Sequence, residues 1–168
     1  MSKAENMVKW CLNKAKAEME KGELHRGLVK IKPDDKMALE YIGKAEHNLE
    51  AFLYNKEGGF YDWTISIGFY VIYHCCLAVI TKFGFESRNQ ECTFALINNL
   101  IEDEKIGIKR EWMNKIALFD TGPDETTGVR LREKFQYGTQ LSLDDNLYQE
   151  LVDLAKKILS STKVVLEK

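Results

Sequence analysis

Residues Trp63 to Ile80 read Trp63-Thr-Ile-Ser-Ile-Gly-Phe-Tyr-Val-Ile-Tyr-His-Cys-Cys-Leu-Ala-Val-Ile80, without a single charged side chain. The length is near the minimum for a bilayer span. Thr64, Ser66, Gly68, Tyr70, Tyr73 and His74 interrupt it, however. A helix enclosed by other helices accounts for apolar residues on every side, so no membrane contact is expected. The fold follows from what surrounds this helix.

Upstream, Ala38, Tyr41, Ile42, Ala45, Leu49, Phe52 and Leu53 repeat at helical period. Pro33-Asp34-Asp35 opens that helix with an Asp at the N-cap, and Gly58-Gly59 ends it. Asp62 is expected to cap the apolar helix, and Gly84 to close it. Ser87-x-x-Gln90 reads as a capping box for a fourth helix carrying Thr93, Leu96, Ile97, Leu100 and Ile101. A shorter helix over about Glu111 to Phe119 follows. Residues 120–128 have turn composition, and Val129 to Tyr137 reads as helical. Asp144 or Asp145 caps a last long helix with Leu147, Leu151, Leu154, Ala155, Ile158, Thr162 and Val165 on one face.

At the start, Ser2-x-x-Glu5 caps a helix from about Lys3 to Lys21, stopped by Gly22. The segment Glu23 to Pro33 holds Leu24, Leu28, Val29 and Ile31 and is expected to pack across the bundle in extended form. The chain has only two prolines, Pro33 and Pro123, so long helices run uninterrupted. Short connections between long helices favour antiparallel neighbours. The expectation is an all-α, up-and-down antiparallel helical bundle of four to five core helices with short accessory helices. Residues 1–168 form one domain, with 1–33 as N-terminal helix and linker and 34–168 as the bundle core.

Composition narrows the function classes. A balance of 45% hydrophobic and 30% charged residues is globular, and a net charge of -2 argues against a surface dominated by phosphate contacts. Cys11, Cys75, Cys76 and Cys92 show no C-x-x-C spacing and read as buried free thiols in a reducing compartment. The polar start lacks a signal-peptide stretch, and a cytoplasmic location is expected. No cofactor and no metal are expected. Trp10, Trp63 and Trp112 lie on three helices and are expected to pack.

A family resemblance rests on residues 58–97. Gly58-Gly59-Phe60-Tyr61-Asp62-Trp63-x-Ile65-Ser66 leads into Phe69-Tyr70-x-x-Tyr73-His74-x-x-Leu77-Ala78, then Lys82-x-Gly84-x-Glu86-Ser87-x-Asn89. This looks like the central helical hairpin of HEPN domains. Lys44-Ala45-Glu46-x-Asn48-Leu49-Glu50-Ala51 resembles the family's preceding helix, and Arg132-Glu133-Lys134-Phe135-Gln136-Tyr137 its late arginine-tyrosine segment. The match covers about residues 34–166. The resemblance implies a helical bundle that commonly dimerises, is often encoded beside a small nucleotidyltransferase, and is associated with nucleotides and RNA. Some members are metal-independent RNases using an arginine and a histidine spaced R-x4-6-H, the histidine moving the proton and the arginine stabilising the phosphorane.

This chain departs from that pattern. No arginine precedes His25, His47 or His74 at the required spacing, and Phe135, Gln136, Tyr137, Gly138 and Thr139 stand where Arg130 or Arg132 would need a histidine. No catalytic residue is assigned. The ligand-binding candidates are Tyr70, His74, Arg88, Arg130, Arg132 and Tyr137. Tyr70 and His74 sit four apart on one helix face and suit a base-stacking strip, although a hydrogen-bonded core histidine is the simpler account. Arg88 begins a helix entry where backbone N–H groups favour an anion, although ordinary capping explains the same residues. Arg130 and Arg132 form a phosphate-contacting patch with Tyr137 as stacking partner, or else a solvated helix face. Three readings stand. The first is a non-catalytic, homodimeric HEPN-like module that binds a nucleotide or RNA and pairs with a nucleotidyltransferase. The second is an RNase built from unexpected positions such as Arg132 with His74. The third is a purely structural helical adaptor.

Overall fold

The computed structural model of the chain describes residues 2–121, 135 and 137–168. In chain order the elements are α1 (Lys3–Glu20), β1 (Leu28–Lys30), α2 (Asp35–Glu57), α3 (Tyr61–Lys82), β2 (Phe85–Ser87), α4 (Gln90–Glu102), α5 (Arg110–Thr121) and α6 (Asp145–Leu166). The fold is an all-α bundle with one small two-stranded sheet.

α3 is its centre and packs against α2, α4, α5, α6 and β2. Its Ile65, Phe69, Ile72, Leu77 and Ile80 are buried, as are Phe52 of α2 and Leu151 and Ile158 of α6. Each such side chain contributes roughly 1.5–3 kcal/mol of transfer free energy, set against the entropy of ordering the chain. α3 is the one described helix long and apolar enough to cross a membrane, and most of it lies buried among its neighbours. The short Gly58–Phe60 connection folds α3 back along α2, and the Phe60 N–H donates to the Asn55 carbonyl in that turn.

The helix ends show where local reading holds. Ser2 accepts from the Glu5 N–H at 3.1 Å, Asp34 from Met37 at 2.9 Å, and Asp144 from Asn146 at 2.9 Å. Two expected caps are displaced. Phe60, without any side-chain bond, precedes α3, so Asp62 lies inside the first turn and faces the helix dipole rather than capping it. Asn89 caps α4 by accepting from the Cys92 N–H at 3.0 Å. Ser87 is instead the last residue of β2, and its Oγ accepts from the Thr93 hydroxyl at 2.8 Å.

The segment before Pro33 is extended, as expected. It forms β1, antiparallel to β2, with Leu28 opposite Ser87, Val29 opposite Glu86 and Lys30 opposite Phe85. Gly84 turns the chain into β2 with φ +79°, and a Cβ there would lie 2.9 Å from the Ile31 carbonyl oxygen.

Two expectations fail. Cys11 and Cys92 form a disulfide with Cα atoms 5.8 Å apart, leaving only Cys75 and Cys76 as buried free thiols. Residues 81 apart in sequence carry no spacing signal, and it is the packing of α1 on α4 that brings them together. The inference of a reducing compartment from four free thiols goes with them. Trp10 and Trp63 are also half-exposed, at 50% and 53%, rather than packed. The helical reading of Val129 to Tyr137 falls mostly outside the described residues; of the two that are described, Phe135 is buried and Tyr137 is 78% exposed.

Candidate functional site

The residues with chemistry converge where α2, the end of α3 and β2 meet. There a cleft of about 450 Å³ is lined by Tyr41, Met37, Leu77, Thr81, Ser87 and Arg88, among others. Tyr41 projects from the second turn of α2, and Arg88 follows β2 directly. The burial that raises the Tyr41 phenol above its ordinary pKa is joined by the nearby charges of Glu86, which raises it, and Arg88, which lowers it. The phenol therefore stays a neutral hydrogen-bond donor at neutral pH.

Arg88 is anchored. Its Nε donates to Glu86 Oε1 at 2.8 Å, and the same oxygen lies 3.2 Å from His25 Nε2. Burial alone would raise the Glu86 carboxyl, but hydrogen bonds from Arg88 and His25 outweigh it and hold the group below the usual value. His25 is only 7% exposed, and its Nδ1 is buried without a partner. Glu86 thus ties the segment before β1 to the strand that presents Arg88.

Next along α2 and α3, the Tyr41 ring lies 6.2 Å from that of His74, whose ring is 6.3 Å from Tyr70. His74 Nδ1 is 2.7 Å from the Tyr70 carbonyl oxygen. A carbonyl only accepts, so Nδ1 carries the proton and donates, leaving Nε2 as the ring's acceptor. Asn48 Nδ2 lies 3.2 Å from the same nitrogen, and because Nδ1 carries the proton the amide must turn its oxygen there to accept from it. Burial, with Lys44 nearby, lowers the His74 pKa despite the opposing pull of the carbonyl, so the ring is neutral at neutral pH. Tyr70 is 40% exposed beside it, and Trp63 lies two turns earlier on α3.

Of the six sequence candidates, Tyr70, His74 and Arg88 therefore fall along one continuous face, with Tyr41 as the link. Tyr137 is exposed, and no described contact joins it to this face. Arg130 and Arg132 lie outside the described residues. Sequence reasoning missed Tyr41, Asn48, His25 and Glu86. Tyr41 falls in the stripe that reads as core, because periodicity gives a helix face without saying which neighbour stops short of covering it. Among the described residues no cluster of His, Cys, Asp and Glu has the makings of a metal site.

Residues 38–165 match the family model of the HEPN domain. No curated protein matches the chain.

Proposed function

Because this chain belongs to the HEPN family, matched over residues 38–165, we propose that it is a non-catalytic module that binds a nucleotide or a single-stranded RNA end across the α2–β2 cleft. Family membership points to a nucleotide- or RNA-related role in general terms. One observation supports the finer reading: an aromatic ring and an arginine, Tyr41 and Arg88, line the same cleft of about 450 Å³. A base stacks on Tyr41 against the apolar wall of Met37 and Leu77. Arg88 takes the phosphate with the guanidinium nitrogens that Glu86 leaves unused. Tyr70 and neutral His74 extend the strip for a second base, His74 accepting through Nε2.

Acid–base catalysis is disfavoured in this reading. The histidine joined to Arg88 through Glu86 is His25, which is buried and has its Nε2 held by that carboxylate. The same module homodimerises in this reading along the exposed side of α3, where Trp63 and Tyr70 project, and pairs with a nucleotidyltransferase subunit.

The test is a thermal-shift screen with adenosine and guanosine monophosphates and a short single-stranded RNA, without metal. Ligand at about a hundred times Kd stabilises by about 2.7 kcal/mol, so the melting temperature rises by several degrees. The rise shrinks in Arg88→Ala and Tyr41→Ala variants that retain native stability. Equal shifts in wild type and variants, or metal-free RNA cleavage by the wild type, would contradict it.

A further inference from the structure

The N-terminal element stands apart from the matched family region, which begins at residue 38. α1 packs on α4 and β1. Its buried residues are Ala4, Cys11 and Ala15, two of them alanines with little apolar area to contribute. Trp10 and Met19 on other sides of the helix are about half exposed. Met7, Val8 and Leu12 also pack against the core but are only partly buried, and a helix docked mainly through partly buried side chains opens more easily than the core. Covalent attachment comes from the disulfide between Cys11 and Cys92.

Cys92 sits in the first turn of α4, three residues after the Asn89 cap, with its N–H held by that cap. A helix N-terminus stabilises a thiolate, and thiol–disulfide exchange is faster when the departing sulfur leaves as a stable thiolate. Both sulfurs are buried, so a reductant reaches them when α1 lifts. Beside them, a cleft of about 450 Å³ between α1, α4 and α5, lined by Met7, Phe94 and Asn98 among others, already separates the helices at one end. Cys75 and Cys76 take no part. Burial pushes the Cys75 thiol up to about 12 and Cys76 well above its ordinary value, so neither is a thiolate that competes for the exchange.

We infer that the Cys11–Cys92 disulfide is a reducible latch: a soluble dithiol opens it in the folded protein and releases α1 from α4, uncovering the face of α4 around Cys92 and Ala95. One thiolate of the reductant attacks Cys11 Sγ, and Cys92 leaves as a thiolate. The reductant's second thiolate then attacks its own sulfur in the mixed disulfide and frees Cys11. The reductant ends as a disulfide, and the cysteine pair has taken up two electrons and two protons. The core of α2, α3 and α6 keeps its packing throughout, while Phe94, which meets Phe69 and Tyr73 edge-on, links the uncovered face to the aromatic strip of α3.

The test treats native, oxidised protein with dithiothreitol, traps thiols with iodoacetamide, and follows amide exchange by segment. Without reductant, alkylation in denaturant marks Cys75 and Cys76 only. After native reduction it marks Cys11 and Cys92 as well, and α1 amides exchange about tenfold or more faster while those of α3 and α6 stay protected. A Cys11→Ser, Cys92→Ser variant shows the fast α1 exchange without reductant. Three results would overturn the latch: labelling of Cys11 and Cys92 in unreduced protein, reduction that proceeds only when α3 also opens, or unchanged α1 exchange in fully reduced wild type.

Discussion

α3 and α1 are both long helices, of 22 and 18 residues, yet they are held in opposite ways. α3 is surrounded by four helices and a strand, and its Val71, Cys75, Cys76, Ala78, Val79 and Ile80 are wholly buried. α1 buries one thin stripe and is joined to the bundle by a disulfide, by the β1–β2 pairing that follows it, and by hydrogen bonds such as that from the Ser2 hydroxyl to Glu102. The fold thus has a core held by packing and an appendage whose attachment is chemical as much as hydrophobic. The candidate cleft lies where the two meet, since β1 pairs with the strand that leads to Arg88.

The largest expected effect comes from the core. Phe52 is fully buried on α2 and packs against Tyr148 with ring centroids 5.0 Å apart. Phe52→Ala is expected to cost about 4 kcal/mol, seen in urea denaturation as one lowered midpoint common to all probes. Separate transitions for the helices would show that the core is not one cooperative unit. Next comes loss of the disulfide. Closing a loop across 81 residues stabilises a chain by about 3 kcal/mol or more on the chain-entropy account, so the double serine variant should melt about 10 °C lower. An unchanged melting temperature would contradict it.

Gly27 sharpens the contrast at smaller scale. A Cβ there would run into the Cys11 carbonyl oxygen and lie 3.0 Å from the Ala15 nitrogen, both backbone atoms of α1. Gly27→Ala is expected to cost about 2 kcal/mol by forcing α1 away, with exchange raised in α1 and unaltered in α6. The smallest effect belongs to His74. Its pKa is lowered in the folded protein, so the unfolded chain binds the proton more readily. Stability should therefore fall as pH drops below about 6.5, the ordinary histidine value. Denaturation midpoints for His74→Gln should lose that part of the pH dependence, and an identical profile would show that the ring is not desolvated.

Much of the fold was legible because α3 is extreme in composition and its flanking helices keep strict period. Asp34 and Asp144 sit at ends that lie where the local signals put them. Ser87 and Asp62 misled because a capping motif specifies a turn of helix only when no strand or glycine turn claims the same residue. Ser87 went to β2, and the Gly58–Phe60 turn moved the start of α3. The disulfide was illegible for a different reason, since nothing local in Cys11 or Cys92 records that α1 and α4 touch. The tryptophans show the limit of composition, because aromatic size predicts burial on average and Trp63 sits on the one side of α3 that no described helix covers. The candidate site was half legible. Tyr70 and His74 share a helix face that spacing reveals, whereas their continuity with Arg88 runs through Tyr41 and depends on β2 packing on α3, which brings Arg88 to the cleft that Tyr41 lines.

The most direct measurement is backbone amide shift mapping of the labelled protein titrated with adenosine monophosphate and with a short single-stranded RNA. The account predicts saturable shifts confined to residues 31–41, 70–81 and 84–89, abolished by Arg88→Ala without any change in the spectrum of α6. Shifts centred on residues 137–168, or none at ligand concentrations in the millimolar range (on the order of the weakest specific binding), would contradict it.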